Sequence, residues 1–448
     1  MATYNTIINT NCFKNNETII SVDCNNVPWV NNNASLAFTG CSNLQSVSNL
    51  SNSISEAKGM FNGCTNLVKA PTIPSSVVNT TFIVNTGFYY AYDIEPSYDL
   101  YGDSINTLFF EEEYPAYGEY QWCYYEDPWT GTFEQFPEWV MFRENDDDQD
   151  PDYPIIAVDG QFDHNGMRNS SADMEAELPD YEWEYQGMFA NCTNLVNTPN
   201  IENGITNMDY MFFGCSKLNN TTTIPNSVTS IVYTFYNCNF TTSPILPDSV
   251  VNMTNTFRWC HNLTSVSSFP TNVTNMHYTF GNCSNLITVP QLPNSVTDGA
   301  GTFSDCINLD FPNTFTLENT NISTAVCMFL NCTNMKNTPV ALPNTIEYMG
   351  SMFRYCTNIT SSPNIPSQVG NVYGTFAYCT NLTGNIYIHS EHIWNARTCF
   401  DGTTLTKNVY IPFQNNGVNT ATYNAFINAG YTTTGTKNGV YLKDINTL

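Results

Sequence analysis

The chain has 448 residues, about three times the ~150-residue size of a typical domain. Its residues are 42% hydrophobic and 14% aromatic, which excludes a disordered polyelectrolyte, since such chains lack aromatic and branched residues. The formal net charge of −27 argues against charge-driven binding to nucleic acid or anionic membranes, and no apolar run reaches the ~18 residues of a membrane span.

Residues 1–33 lack the motif that fills most of the chain after them. They contain no basic stretch followed by an apolar one, so no secretory signal is predicted there. Apolar residues such as Ile20 and Trp29 are expected to cover the first repeat as an N-terminal cap. For Cys12 and Cys24, a disulfide and two separate thiols are both open interpretations.

A Phe-x-x-Cys motif recurs through residues 34–84 and 187–412. Within each stretch, successive cysteines of the motif lie 22 to 26 residues apart, and a Val before the Phe and a Leu after the Cys recur. One unit of ~23 residues cannot bury these side chains, but stacked units bury them in a continuous column. The motif therefore predicts an α/β repeat solenoid of about 12 units with short parallel strands, each motif forming at most one helical turn.

Two columns of side chains follow from the motif. The cysteines are expected to be buried thiols that pack as small hydrophobic groups, because zinc ligation needs Cys or His clustered at short spacing. Asn stands two residues after most of these cysteines and is expected to bond backbone groups of the turns through its amide. The structural ladder predicted in this way includes Phe212, Cys215, Phe235, Cys238, Phe257, Cys260, Phe280, Cys283, Phe303 and Cys306.

Residues 85–186 interrupt the repeat, and Phe82 indicates the unit that they interrupt. This segment holds 26 of the 40 acidic residues and 13 of the 27 Tyr, and its little helical periodicity predicts an irregular or small β subdomain. Insertions in solenoids often emerge on the binding face, and Tyr and Trp suit sugar or protein partners, although these rings equally suit the subdomain's own core. The candidate binding residues are Tyr89, Tyr92, Trp122, Tyr124, Trp129 and Trp139.

The many acids of this segment carry little information about catalysis. A glycosidase needs two carboxylates at a defined separation, and 26 acids supply such a pair by chance, so no catalytic residue is predicted. Asp146, Asp148 and Asp150 match the alternate spacing of a calcium loop, but Pro151 replaces its turn Gly. A solvated acidic loop is the main interpretation and a weak Ca²⁺ site the alternative; no other cofactor is expected.

Residues 413–448 are predicted to form a C-terminal cap. Residues 421–429 have helical spacing and precede Gly430, a helix-stop signal. Strand-like stretches at 386–388, 409–411 and 440–442 share an apolar-Tyr-apolar pattern. A capping helix followed by a strand is therefore expected after the last repeat.

The repeat resembles the leucine-rich repeats of the bacterial surface protein A (BspA) type. The matching segments include residues 211–218 (MFFGCSKL), 224–229 (IPNSVT) and 273–276 (VTNM), and the likeness spans roughly 60% of the chain. This resemblance implies a solenoid that presents binding surfaces and shares no chemistry. The end of the chain is similar to the ends of repeat proteins carried by gut bacteriophages.

These features favour a non-enzymatic structural or recognition protein of a bacteriophage virion, such as a tail fibre or capsid appendage. Such a protein is made in the host cytoplasm without a signal and acts outside the cell. Its expected partners are a host-surface glycan or protein or other virion proteins, and a homo-oligomer is expected. The alternatives are a bacterial cell-surface adhesin of the same repeat family and an extracellular filament subunit.

Overall fold

The computed structural model divides the chain into two compact units, Met1–Phe82 with Tyr185–Leu448, and Ile83–Glu184. It describes residues 13–24, 29–83, 185–415, 417–435 and 437–448, and five short strands between residues 96 and 142. The strands and the helix, in chain order, are β1 (Ser21–Asp23), β2 (Ser46–Ser48), β3 (Thr81–Ile83), β4 (Pro96–Tyr98), β5 (Ser104–Leu108), β6 (Cys123–Glu126), β7 (Phe133–Phe136), β8 (Val140–Phe142), β9 (Tyr185–Gly187), β10 (Gly384–Tyr387), β11 (Lys407–Ile411), β12 (Gln414–Asn415), β13 (Val418–Asn419), α1 (Ala421–Asn428) and β14 (Val440–Asp444).

The strands form small separate sheets. In the larger unit β1 pairs with β2 in parallel, β10, β11 and β14 form a parallel sheet, and β12 pairs antiparallel with β13. β3 and β9, at the two ends of the interruption, pair with each other. In the smaller unit β4, β5 and β8 form one antiparallel sheet, and β6 and β7 another.

Single parallel bridges, more often than strands, join neighbouring repeats. One column of bridges passes through the residue five positions before each motif Phe, for example from Asn252 to Asn275 to Asp298. A second column lies after the motif, for example from Ser265 to Thr288. The prediction of a repeat solenoid is confirmed, whereas the predicted parallel strands are reduced to these bridges through most of the repeats.

The motif segment itself is not helical, which corrects the α/β expectation for the repeats. Residues two positions before and after the Phe are left-handed, as Tyr278 (φ 45°) and Asn282 (φ 61°) are around Phe280. The backbone N–H groups of Tyr278, Phe280 and Asn282 donate to carbonyls of the following repeat. The residues between them, Thr279 and Gly281, donate to carbonyls of their own repeat and so close turns. A helix would direct every N–H back along its own axis, so this alternation is what lets the motifs stack.

Stacked phenylalanine rings occupy the centre of the solenoid. Phe280 is fully buried, and its ring centroid lies 5.6 Å from that of Phe257 and 5.8 Å from that of Phe303. Phe13 joins the column from the segment predicted as a cap; Asn16 stands at its Cys position, so the motif does not reveal it. The rings that stack in this column are Phe13, Phe38, Phe61, Phe189, Phe212, Phe235, Phe257, Phe280, Phe303, Phe329, Phe353, Phe376 and Phe400.

Replacing Phe280 by Ala is expected to lower the free energy of unfolding by ~3–5 kcal/mol, because the two neighbouring rings cannot close the cavity. Urea unfolding of the purified variant measures the loss. Ile287→Ala is a suitable control, since Ile287 lies on the surface seven residues later in the same repeat. A loss within 0.5 kcal/mol of the control's would contradict the position of Phe280 in the core.

A column of buried thiols runs beside the rings. Cys283 donates its S–H to the carbonyl of Phe257 in the preceding repeat over 3.1 Å, and the other motif cysteines repeat this bond. These thiols are not joined in disulfides. Burial raises their pKa, to about 12 at Cys215 and Cys260. The thiols with these bonds are Cys41, Cys64, Cys192, Cys215, Cys238, Cys260, Cys283, Cys306, Cys332, Cys356 and Cys379.

Asparagine supports the turns at two positions. The predicted amide-to-backbone bond is present at Asn285, whose Nδ2 donates to the carbonyl of His261 over 2.8 Å, although this column is exposed rather than buried. A second set occupies the bridge position before the Phe. There the Oδ1 atom of Asn275 accepts the N–H of His277 over 2.9 Å, which fixes the turn that leads into the left-handed residue.

Phe189, and not Phe82, follows Phe61 in the ring column. Their centroids are 5.4 Å apart, and the N–H of Phe61 donates to the carbonyl of Met188 over 2.8 Å. Asn79 takes the bridge position of this repeat through its bridge to Glu56. The repeat therefore runs from Asn79 through Thr81 and resumes at Gly187. The interruption begins at residue 82, three residues before the predicted boundary at residue 85.

The predicted C-terminal helix is present as α1. Its N-cap is Thr420, whose Oγ1 accepts the N–H of Tyr423 over 3.0 Å. The buried Tyr431 closes the ring column, since its hydroxyl accepts the N–H of Phe400 over 3.0 Å. Lys407 lies beside the end of the thiol column; its Nζ donates to Thr403 Oγ1 over 3.0 Å, and burial lowers its pKa to about 8.

Candidate binding surface

The sequence places the candidate binding site and the candidate calcium site in the interruption. The backbone of Tyr124 lies in β6, opposite Gln135 of β7. The other predicted residues lie outside the part of the chain that the structure describes, so their roles stay predictions: Tyr89, Tyr92, Trp122, Trp129, Trp139, Asp146, Asp148 and Asp150.

A different group of aromatic side chains lies on the solenoid surface. Tyr348, Tyr355, Tyr378 and Trp394 come from three consecutive repeats, and 43%, 38%, 40% and 62% of their respective surfaces are exposed. The ring column of these repeats is already complete without them. We call these four residues the aromatic patch.

Two members of the aromatic patch occupy left-handed positions. Tyr355 (φ 60°) and Tyr378 (φ 59°) each stand two residues after a motif Phe. Their rings stack with centroids 4.7 Å apart and planes 11° from parallel. The ring of Tyr378 lies against Gly402, at the place where any other residue would carry its Cβ. The two tyrosines are therefore held as a pair that presents ring edges and hydroxyls.

An arginine lies beside this tyrosine pair. The guanidinium carbon of Arg354 is 5.2 Å from the ring centroid of Tyr355 and 5.9 Å from that of Tyr378. At these distances the ring quadrupoles attract the cation and restrict its side chain. Arg354 therefore adds a positively charged, planar donor group to a surface of otherwise neutral rings.

Trp394, the fourth member of the aromatic patch, stands six residues before the motif Phe400. Its backbone N–H donates to the carbonyl of Gly370 over 2.9 Å, and a Cβ on Gly370 would lie 3.1 Å from the indole Nε1. Successive bridges connect Tyr348 to Asn371 and Asn371 to Asn395. Tyr348 and Trp394 are consequently about 10 Å apart along the solenoid, two repeats at the ~4.8 Å spacing of paired strands.

Earlier repeats carry stacked rings at other positions around the motif, two residues before the Phe and one residue after it. Tyr210 stacks on Tyr233 with centroids 4.9 Å apart, and Phe213 stacks on Tyr236 at 4.7 Å. These side chains are half-buried or buried, in contrast to the aromatic patch. Stacking between rings of successive repeats therefore recurs outside the central column, and the aromatic patch differs in that its rings are exposed.

The buried carboxyl of Asp209 has structural partners. Asp209 is buried, which raises its pKa, and its carboxyl accepts Ser230 Oγ over 2.6 Å and the N–H of Val232 over 2.7 Å. No three His, Cys, Asp or Glu side chains in the described ranges are grouped to hold a metal ion. The same ranges contain no helix long and apolar enough to span a membrane.

Two solved structures are similar to this chain. A leucine-rich repeat protein from Bacteroides ovatus is 19% identical over 57% of this chain and 79% of its own, with a TM-score of 0.26. A leucine-rich cell surface protein from Faecalibacterium prausnitzii is 12% identical over 99% of this chain and 84% of its own, with a TM-score of 0.37. No curated protein matches the sequence.

A family model described as BspA type leucine rich repeat region matches the chain in six copies. The copies cover residues 2–95, 185–310 and 299–432, so they include most of the solenoid. The first stretch includes Phe13, in agreement with its place in the ring column. The chain therefore belongs to the family of BspA-type leucine-rich repeat proteins.

Proposed function

We propose that the chain is a non-enzymatic recognition protein that acts at a cell surface and binds its partner through the aromatic patch. The observation that carries this proposal is the tyrosine pair at left-handed positions. A non-glycine residue in that conformation costs about 1–2 kcal/mol, and other repeats place Gly40 and Gly63 at the same position. Tyrosines that the core does not need, held in an unfavourable conformation, are typical of a functional surface.

The composition of the aromatic patch supports binding. Trp, Tyr and Arg are the residues that most often dominate the energy of binding interfaces, because they bury a large area with few rotatable bonds. Here their rings are already fixed by the stacking of Tyr355 on Tyr378 and by the packing of Tyr378 on Gly402. A partner therefore loses little binding energy to the ordering of these side chains.

Membership of a family named after a bacterial surface protein supports action at a surface. We therefore favour a bacterial cell-surface adhesin over a virion protein, because no feature of the described residues supports a virion role. A virion role, a homo-oligomer and the absence of catalysis stay predictions.

Replacing both Tyr355 and Tyr378 by Asn is expected to reduce cell-surface binding at least about 10-fold, as the loss of ~1.4 kcal/mol or more from hot-spot residues implies. Asn tolerates the left-handed conformation, so the solenoid should keep its thermal stability. Flow cytometry of the labelled full chain on bacterial and on epithelial cells measures binding.

Trp259→Asn is the matched control, because Trp259 (φ 65°) stands at the same position of an earlier repeat, outside the aromatic patch. It should bind within about twofold of the unchanged protein. Equal binding of the double variant would contradict the proposal, and so would a wild-type protein that binds neither kind of cell.

A further inference from the structure

We infer that Trp394 is the stacking platform of a carbohydrate site, with hydrogen-bond donors supplied by Asn371 and Asn395. The ligand class is a neutral chain of pyranose sugars. This inference rests on the proposed function and names the partner class for one member of the aromatic patch.

The indole of Trp394 is placed to offer a ring face. Its Nε1 and Cδ1 atoms are the part closest to Gly370, so the indole meets the backbone by one edge. Because Gly370 has no side chain, the indole lies close to the solenoid without being covered by it. The large exposed fraction of Trp394 agrees with this arrangement.

Two amides beside the platform are held in position. Asn371 Oδ1 accepts the N–H of Tyr373 over 2.8 Å, and Asn395 Oδ1 accepts the N–H of Arg397 over 3.1 Å. Each of these bonds uses the amide oxygen, so the Nδ2 hydrogens remain for a ligand. Asn371 and Asn395 are paired by a bridge in adjacent repeats, about 4.8 Å apart at the spacing of paired strands.

This combination matches the chemistry of a sugar. A pyranose ring has a face of C–H groups, which packs on an aromatic ring, and a rim of hydroxyls, which accept hydrogen bonds from amides. Amide donors one repeat apart meet hydroxyls of a sugar chain that runs along the solenoid. Tyr348, one repeat before Asn371 on the same column of bridges, adds a second exposed ring along that path.

A protein partner fits this edge less well. The centre of a protein interface is depleted of polar groups, and its hot spots lie in pockets from which surrounding contacts exclude water. The indole of Trp394 lies instead against Gly370, with Asn371 next in sequence to Gly370 and Asn395 next to Trp394, and these three neighbours supply little apolar area. The polar surroundings therefore favour a ligand that is itself both apolar and hydroxylated.

Affinity electrophoresis of the full chain tests the inference, with gels that contain β-glucan, xylan, mannan, galactan or starch as probes. We expect at least one polysaccharide to retard the wild-type protein. Trp394→Ala should weaken this retardation at least 10-fold, whereas Trp394→Tyr, which keeps an aromatic face, should retain most of it. Trp259→Ala, which removes an exposed ring elsewhere, should have no effect.

Retardation by none of the five polysaccharides, or retardation unchanged in Trp394→Ala, would overturn the inference. Gly370→Val is a second variant that displaces the indole and leaves Trp394 in the chain; it should weaken retardation as Trp394→Ala does. Cells treated with protease or periodate separate the two proposals. Binding that needs Tyr355 and Tyr378, survives periodate and is abolished by protease would identify the partner as a protein. That result would support recognition by the aromatic patch and contradict the carbohydrate site.

Discussion

Raising the pH from 8 to 10 is expected to unfold the solenoid. The cause is the column of buried thiols, which burial keeps protonated by raising their pKa. An unfolded Cys has a pKa of ~8.5, so above that pH the unfolded chain releases protons that the folded chain retains. The thiols that act in this way are Cys41, Cys64, Cys192, Cys215, Cys238, Cys260, Cys283, Cys306, Cys332, Cys356, Cys379 and Cys399.

The direction and size follow from proton linkage. Because the folded pKa is above the unfolded one, the stabilisation is complete below pH ~8.5 and is lost as the pH rises toward the folded values, about 12 at Cys215. Each thiol then contributes a loss of about 1.4 kcal/mol per pH unit. Five of them, Cys64, Cys215, Cys260, Cys379 and Cys399, together lose roughly 10 kcal/mol by pH 10, which is comparable to the ~5–15 kcal/mol that stabilises a typical domain, and the other buried thiols act in the same direction.

One lysine acts in the opposite direction. The folded pKa of Lys407 is about 8, below the ~10.4 of an unfolded lysine, so its contribution to stability rises with pH across that interval. A single group of this kind cannot offset twelve thiols. The net slope of the unfolding free energy against pH is therefore expected to be strongly negative above pH 8.5.

Urea unfolding under reducing conditions at pH 7.5 to 9.5 measures this slope, which gives the number of protons released. The double variant Cys260→Ala/Cys283→Ala should be less stable at neutral pH, since it opens cavities, yet release about two fewer protons. A slope that corresponds to three protons or fewer in the wild-type protein would mean that the thiols are accessible and would contradict the buried column.

Removing residues 82–186 and joining Thr81 to Gly187 is expected to leave a folded solenoid. The cut restores a five-residue step from the bridge residue Asn79 to Phe189, the same step as from Glu56 to Phe61. It reduces the 128-residue separation of Cys64 and Cys192 by 105, to the common spacing of 23. Every backbone bond between these two repeats can then form without the interruption.

The register of the cut provides its own control. Removing residues 82–187 instead deletes Gly187 and moves Phe189 one residue closer to Asn79, which turns the ring out of the column. Thermal unfolding followed by circular dichroism should show the first variant within a few degrees of the wild-type solenoid transition. The second should be lower by roughly 10 °C or more, as a core loss of several kcal/mol implies. Equal stability of the two variants would place the junction elsewhere, and unfolding of both would make residues 82–186 part of the core.

The ring and thiol columns were readable from sequence because their period is regular and their side chains are strictly apolar. Because Phe and Cys recur at a fixed offset in successive units, the units can bury both side chains only when they stack in register, and this arrangement is a solenoid. The same reasoning missed Phe13, whose partner position holds Asn16. It also placed the interruption three residues late, because Phe82 imitates a motif ring at nearly the right distance from Phe61.

The backbone of the motif was not predictable in the same way. Left-handed conformations are usually signalled by Gly, but Tyr278, Asp305 and Tyr378 adopt them here. The stacking of neighbouring repeats dictates their hand, and no local sequence pattern records that constraint. The sequence allowed at most one helical turn in each motif, and the described motifs form alternating left-handed turns instead.

The aromatic patch was missed because composition directs attention elsewhere. The interruption concentrates 13 of the 27 Tyr in one segment, so the rings of the repeats look like core residues at motif positions. Tyr355 and Tyr378 each precede a motif Cys directly, which was a visible signal. Their exposure follows only from the left-handed backbone, which turns that position outward.

The left-handed positions also determine how this molecule can change. A residue two places after a motif Phe contributes no ring or thiol to the core, but it contacts the same position in the neighbouring repeat, as Tyr378 contacts Gly402 and as Asn331 Nδ2 donates to Asp305 Oδ1 over 2.8 Å. The position excludes bulky β-branched residues by conformation, and it holds Gly63, Asn237, Trp259, Asp305 or Tyr378 in different repeats. A ring at this position in one repeat, such as Tyr378, fills the space that a Cβ would need in the next, at Gly402, so a change of the displayed surface is expected to involve adjacent repeats together.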